Sequence, residues 1–318
     1  MKGIRIVAPS GAIDNTYIDQ AAARLRAWGY TVSEGAHARG RWGRFAGTDD
    51  ERAADLNEAL SDPGVDAILC ARGGYGLQRI IDRIAPITKP VIGFSDITAL
   101  HQLSTINCQL SIHGIMCKHI ATLPEDSEPI VALRRMLAGE APEYTWESHP
   151  LNRAGEACAP LIGGNLSVLY GLQGTPYDLR AIFNSQFTFH NSQFLAHKGH
   201  DYLAQPNFHN SQKPILLIED IGERHYHIDR MVRNLRLSGV LAGLSGLIVG
   251  QFSDCEDDPS MGCTVYETIK EAVADYDYPV LFNAPVGHVE RNLPLWLGVP
   301  TLLTVTTENT SVRQQPRG

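Results

Sequence analysis

The sequence predicts an α/β protein whose N-terminal half is a doubly wound parallel sheet. Short apolar runs alternate with stretches of helical spacing through the first 140 residues, which implies βαβ units. Several of these runs end in glycine or serine turns, and open parallel sheets bind ligands beyond the carboxyl ends of their strands. The chain has 318 residues, 43% hydrophobic and 19% charged, an ordinary globular composition with material for an ample core. At ~100–200 residues per domain, two domains are expected.

The elements follow in order. Ile4-Arg5-Ile6-Val7-Ala8 reads as a strand that turns at Pro9-Ser10-Gly11, and residues 17–28 as a helix stopped by Gly29. Thr48-Asp49-Asp50-Glu51 is a capping box opening a helix that runs to Leu60, before Asp62-Pro63-Gly64 breaks it. Ala67-Ile68-Leu69-Cys70-Ala71 is a short buried strand, followed by Arg72-Gly73-Gly74-Tyr75-Gly76 and a helix over 77–84. Pro90-Val91-Ile92-Gly93-Phe94 is another strand, running straight into Ser95-Asp96-Ile97-Thr98. A composition shift near 139–154 divides the chain into an N-terminal domain (1–140), a linker (141–154) and a C-terminal domain (155–318). The second half reads as mixed α/β. A helix opens at 161–166, strands occupy 214–218, 246–250 and 279–282, and a helix covers 228–237 with Arg230, Arg233 and Arg236 on it.

Charge and cysteine usage exclude several classes. The formal net charge is −8 and no basic block is long enough to track a phosphate backbone, so nucleic acid and acidic membranes are poor partners. No apolar run approaches the ~18 residues of a spanning helix. The apolar stretch before Pro9 is too short for a secretory leader, so a cytoplasmic protein is expected. The six cysteines (Cys70, Cys108, Cys117, Cys158, Cys255, Cys263) form no C-x-x-C pair, which argues against a disulfide framework or a zinc site. His197-x-x-His200 and His225-x-His227 lack partners at metal-ligand spacing. Neither metal nor cofactor is expected.

One segment stands apart. Phe189-His190-Asn191-Ser192-Gln193 recurs as Phe208-His209-Asn210-Ser211-Gln212 within a weakly charged repeat over 180–213. A decorative or disordered surface loop and a lid over a neighbouring site both fit such a composition.

Chemistry is sought at the strand ends. Ser95 follows Gly93 by two residues at a strand-to-helix junction, where a sharp turn would lift its hydroxyl over the sheet edge. The pattern is an incomplete nucleophile elbow, because Ile97 occupies the last glycine position of G-x-S-x-G. A serine ahead of a helix also serves simply as an N-cap. The glycines of Arg72-Gly73-Gly74-Tyr75-Gly76 leave amides free to cradle an anion or donate to an attacked carbonyl, although the same run makes a tight turn. It matches neither nucleotide-binding glycine pattern. Glu219 and Asp220 end a strand and point to opposite sides, so at most one enters a given cleft. There it would orient a histidine; as a solvated pair the two would do nothing. His288 follows Gly287 after the strand near 280–282, but composition cannot select it from His101, His113, His119 or His225.

Together these segments resemble the LD-carboxypeptidase family, the serine peptidases that include murein tetrapeptide carboxypeptidases and the microcin C self-immunity peptidases. The resemblance runs through Ile6-Val7-Ala8-Pro9-Ser10-Gly11, Phe45-Ala46-Gly47-Thr48-Asp49-Asp50-Glu51-Arg52, Arg72-Gly73-Gly74-Tyr75-Gly76 and Gly93-Phe94-Ser95-Asp96. It continues through Gly163-Gly164-Asn165-Leu166, Leu217-Ile218-Glu219-Asp220 and Gly287-His288. These runs cover nearly the whole chain in the family's order, and the 180–213 repeat is the main departure. The resemblance implies a catalytic triad of Ser95, Glu219 and His288, and an oxyanion hole from the amides of Asp96 and the Gly73-Gly74 turn. Arg72, Tyr75, Gly164 and Asn165 are candidates for holding substrate. It further implies a smaller, swivelling β/α C-terminal domain, a homodimer, and removal of D-Ala from a cytosolic murein tetrapeptide in peptidoglycan recycling without metal or cofactor. A microcin-type peptidase would cleave a peptidyl-nucleotide and need an aromatic platform, for which Trp146 or the Phe-rich repeat is a candidate. A non-catalytic α/β ligand-binding protein, with Ser95 only a cap, is the alternative of another class.

Overall fold

The computed structural model describes residues 2–184 and 213–314, so the repeated motifs of the 180–213 segment lie outside the described residues. Five parallel strands, β1 (Gly3–Val7), β2 (Thr31–Glu34), β3 (Ala67–Cys70), β4 (Val91–Gly93) and β5 (Ser111–His113), form the first sheet in the order 5-4-3-1-2. Helices cover both faces. Ile4, Ile6, Leu69 and Ile92 pack against α1 (Asn15–Ala27), α4 (Cys117–Thr122) and α5 (Glu128–Leu137) on one side. Val7, Ile68, Cys70 and Val91 pack against α2 (Asp49–Ser61) and α3 (Thr98–Ile106) on the other. The alternation of side chains along each strand is what sorts them to two cores. The sheet is doubly wound, as the apolar runs predict.

α2 begins as the sequence requires: Thr48 accepts from Glu51 N while the Glu51 carboxylate accepts from Thr48 N. The helix expected over 77–84 does not form. Two 3-10 turns, Leu77–Arg79 and Ile81–Arg83, replace it, separated by Ile80 at φ −127°. So short a segment gains little from helical hydrogen bonding, and burying Leu77, Ile80 and Ile81 decides its path.

The second sheet has seven strands. Strands β7 (Gly155–Asn165), β8 (Ile215–Ile221), β9 (Gly246–Ser253) and β10 (Val280–Leu281) are parallel. The antiparallel strands β12 (Pro300–Val305), β13 (Asn309–Gln314) and β6 (Glu143–Glu147) complete it, in the order β10-β9-β8-β7-β12-β13-β6. Thus the stretch expected as a linker carries an edge strand, whose Tyr144 is buried and Trp146 half-buried between exposed Glu143, Thr145 and Glu147. That period-two pattern is short and easily hidden beside Pro142 and Pro150. Residues 161–165, expected to open a helix, instead finish β7, and α6 (Leu166–Gly171) begins after them with Asn165 as its cap. Helices α6, α8 (His225–Leu237) and α9 (Val265–Ala272) cover one face of the parallel part, while α7 (Leu179–Asn184) closes the segment before residue 185. Between β10 and β12 the chain crosses back: β11 (Leu295–Leu297) pairs antiparallel with β5 and becomes an edge of the first sheet. This crossing ties the halves together and carries His288 along its course. Among the described residues no helix is long and apolar enough to cross a membrane.

Candidate active site

Ser95 stands at the end of β4 with φ +66°, one of four non-glycine residues in the left-handed region among the described residues. An L-residue there is strained by about 1–2 kcal/mol, and such strain persists only where the surroundings impose it. A 3-10 turn, Ser95–Ile97, leads into α3, and no side-chain hydrogen bond caps either element. Ser95 is therefore not an N-cap. Gly93 explains how an incomplete elbow still closes: a Cβ there would lie 2.9 Å from Ile97 Cγ1, so the space left by one glycine is filled by the isoleucine.

The turn after β3 is pressed against this serine. A Cβ on Gly73 would meet Ser95 Cβ at 2.8 Å and Ser95 Oγ at 3.0 Å, so no side chain fits there. The Gly73 and Gly74 amides donate to no protein acceptor among the described residues. Two buried charges hold the turn in place. Asp96 accepts from Ser10 Oγ at 2.5 Å and from Leu77 N at 2.9 Å, linking the loops after β1 and β3 to the elbow. Arg52, 1% exposed, donates to Pro9 O and Gly76 O and pairs with Asp49. Burial pushes the Asp96 carboxyl above its ordinary value, against the hydrogen bonds from Ser10 and Leu77.

Across from the elbow, β8 delivers Glu219 and Asp220 to opposite sides. Glu219, fully buried, pairs through Oε2 with His288 Nδ1 at 2.8 Å. Gly287 is required for this approach: at φ +123°, a Cβ would lie 2.8 Å from Glu219 Oε2. The other oxygen, Oε1, faces His113 Nε2 at 3.8 Å, beyond hydrogen-bond length. Burial alone would raise the Glu219 carboxyl, but the imidazoles of His113 and His288 outweigh it and hold it down at about 2. The carboxylate is therefore charged at any physiological pH. The His288 ring stands edge-on to Phe94 with centroids 4.8 Å apart, which puts it against the residue preceding Ser95. Ser95 Oγ makes no hydrogen bond within the described protein, a common condition of a catalytic hydroxyl before substrate tightens the site.

The other expected residues separate into two groups. Arg72 and Tyr75 are exposed and line a cavity of about 190 Å³ with Gly11, Ala12, Arg41, Arg44 and Gly74. Gly164 and Asn165, expected to hold substrate, instead join the two halves. A Cβ on Gly164 would lie 2.5 Å from Thr98 Oγ1, Asn165 N donates to that same hydroxyl, and the Asn165 side chain is spent on Asp220 and Val168 N. Asp220 accepts from Asn165 Nδ2 and from the amides of Ser167 and Ile221, a structural task. Trp146 packs on the core of the second sheet rather than forming a platform. The sequence reading missed the clamping roles of Arg52 and the Asp96 carboxyl, and did not single out His113. His113 was within reach, since it ends β5 in register with Gly93 of β4, and strand ends carry the chemistry. Among the described residues no group of three or more His, Cys, Asp or Glu is arranged to hold a metal ion.

Comparison with known proteins shows the family. The sequence matches the LD-carboxypeptidase N-terminal domain over residues 4–114 and the LD-carboxypeptidase C-terminal domain over 159–303. A relative from Streptomyces coelicolor, carried under a provisional carboxypeptidase name, is 31% identical over 96% of this chain and 91% of its own. The murein tetrapeptide carboxypeptidase of Pseudomonas aeruginosa is 27% identical over 91% of this chain and 89% of its own. In fold, the chain is similar to the muramoyltetrapeptide carboxypeptidase of Oxalobacter formigenes, with a TM-score of 0.80, 23% identity and 98% of each chain covered. It is similar also to the microcin C7 self-immunity protein in complex with aspartyl sulfamoyl adenosine, with a TM-score of 0.77, 20% identity, and 99% and 96% of the two chains covered. Matched in both its halves, the chain belongs to the LD-carboxypeptidase family of serine peptidases.

Proposed function

We propose that this peptidase removes the C-terminal D-amino acid, D-Ala, from a murein tetrapeptide in the cytoplasm, as a step of peptidoglycan recycling, and acts as a homodimer. Ser95 attacks the scissile carbonyl. His288 takes the hydroxyl proton and passes it to the leaving amine, while Glu219 fixes the imidazole by its Nδ1 and stabilises its charged form. The amides of Asp96 and of Gly73 or Gly74 receive the oxyanion, a contribution typically of ~10²–10³ in turnover per donor. One observation carries the reading: a buried carboxylate grips His288, whose ring lies against Phe94, the neighbour of a serine in the left-handed region. The unspent amides beside that serine support it.

The test is mass spectrometry of a murein tetrapeptide after incubation with the protein. Loss of one D-alanine is expected, and Ser95→Ala abolishes it while the fold persists. An intact tetrapeptide would refute the substrate assignment. A fluorophosphonate probe tests the chemistry apart from the substrate: labelling at Ser95 is expected, and its consistent absence would return the chain to a non-catalytic binding role. We rank the peptidyl-nucleotide alternative second: of its two candidate platforms, Trp146 packs on the core of the second sheet, and the Phe-rich repeat lies outside the described residues.

A further inference from the structure

We infer that the cavity lined by Arg41, Arg44 and Arg72 is the site that receives the substrate's terminal α-carboxylate. The inference deepens the peptidase reading and rests on it for the identity of the peptide. The chain carries a net charge of −8, yet it gathers three guanidiniums around one small cavity. Arginines nearby are neutralised: Arg39 by Glu34 and Asp19, Arg52 and Arg79 by Asp49, Arg83 by Asp50. Arg41, Arg44 and Arg72 form no ion pair among the described residues. Asp14 and Asp96 act on Arg41 and Arg44 only through space, and positive charge without a contact ion pair in a concave site suits an anionic ligand.

The site is also held in shape. Arg72 Nη1 donates to Ala12 O at 2.6 Å, which fixes its guanidinium at the cavity wall. Arg44 lies over the Tyr75 ring at 5.6 Å, and its own carbonyl accepts from Ala12 N at 3.1 Å, so both ends of this residue are anchored. The amide of Gly74 is unspent and adjoins the same cavity. At about 190 Å³ the cavity has room for one small residue with its carboxylate. Its position completes the argument. The Arg72-Gly73-Gly74-Tyr75 turn is a shared wall, Gly73 pressed on Ser95 and Gly74 facing the cavity. The cavity therefore borders the serine through a single turn, on the side where a residue leaving the attacked carbonyl would need its carboxylate held.

The experiment compares peptides that differ only at the terminus. In the Ser95→Ala protein, calorimetry measures binding of the murein tetrapeptide with a free C-terminal carboxylate and with a C-terminal amide. The free acid is expected to bind about 10- to 100-fold more tightly, the range of one or two charge-assisted hydrogen bonds. Arg44→Gln and Arg72→Gln are each expected to weaken the acid by about tenfold or more and leave the amide unchanged. Equal binding of acid and amide overturns the proposal, as does a preference that survives both substitutions. A tetrapeptide with blocked internal carboxylates and a free terminus should bind normally; if it alone fails, the pocket reads an internal acid and the assignment falls. Because these measurements need no turnover, failure of the hydrolysis reading would appear separately, as an intact peptide with the Ser95 protein.

Discussion

Glu219→Gln removes the charge of the buried pair while keeping its shape, and its consequences can be worked from the structure. The carboxyl is held at about 2 instead of its ordinary 4.5, which corresponds to about 3 kcal/mol of preference for the charged form in the folded protein. A carboxylate depressed on folding stabilises the protein above its unfolded value and loses that contribution as pH falls toward the folded one. The charge of Glu219 therefore stabilises fully above about pH 5 and is lost between there and about pH 2. The variant is expected to unfold with about 3 kcal/mol less free energy at pH 7, and the gap to the parent narrows steadily at pH 4 and pH 3. Denaturant titration monitored by circular dichroism at those three pH values reads the gap. Turnover of a D-Ala-terminated peptide should fall by ~10⁴, because the imidazole loses the charge that stabilises its protonated form. A pH-independent stability gap would refute the electrostatic account of the pair. Turnover within tenfold of the parent would refute the role of Glu219 in orienting His288.

Other substitutions probe the scaffold around the serine. Gly73→Ala places a methyl 2.8 Å from Ser95 Cβ and 3.0 Å from Phe94 O, so turnover should drop by about 10²-fold or more and the thermal midpoint should fall as the turn shifts; unchanged kinetics would show that the turn does not set the oxyanion geometry. Arg52→Met leaves the carbonyls of Pro9, Gly47 and Gly76 without their buried donor, while Asp49 keeps Arg79, and should cost about 3–5 kcal/mol in denaturant unfolding; a loss below 1 kcal/mol would contradict the clamp. Gly164→Ala forces a Cβ to within 2.5 Å of Thr98 Oγ1 at φ +138°, so a destabilisation of about 2 kcal/mol is expected, measured as a lowered thermal midpoint. An unshifted midpoint would mean that β7 and α3 can separate without loss.

The local grammar of this chain was legible because its signals act over a few residues. The capping box at Thr48, the stop at Gly29 and the apolar runs of β1, β3 and β4 depend on hydrogen bonds and periodicity that neighbours in sequence settle between themselves. The order of strands and helices then implied a parallel sheet, and the strand ends pointed to Ser95, Glu219 and the glycine turn. The antiparallel strands β6, β12 and β13 were not foreseen, nor the crossing of β11 into the first sheet: β12 and β13 pair locally, but what docks them on β7 and β6, and β11 on β5, are partners 100 residues or more away. The 3-10 turns at 77–83 likewise follow from burial against a distant helix.

What the sequence determined alone was which residue types stand at which strand ends, since strand length and turn chemistry are written locally. Only the tertiary structure decided that Gly287 lets Glu219 reach His288, that Arg52 and Asp96 fasten three loops around Ser95, and that Asn165 serves the joint between halves. Those are close approaches between segments far apart in the chain, fixed by packing and buried charge, and no periodicity within a single segment can encode them.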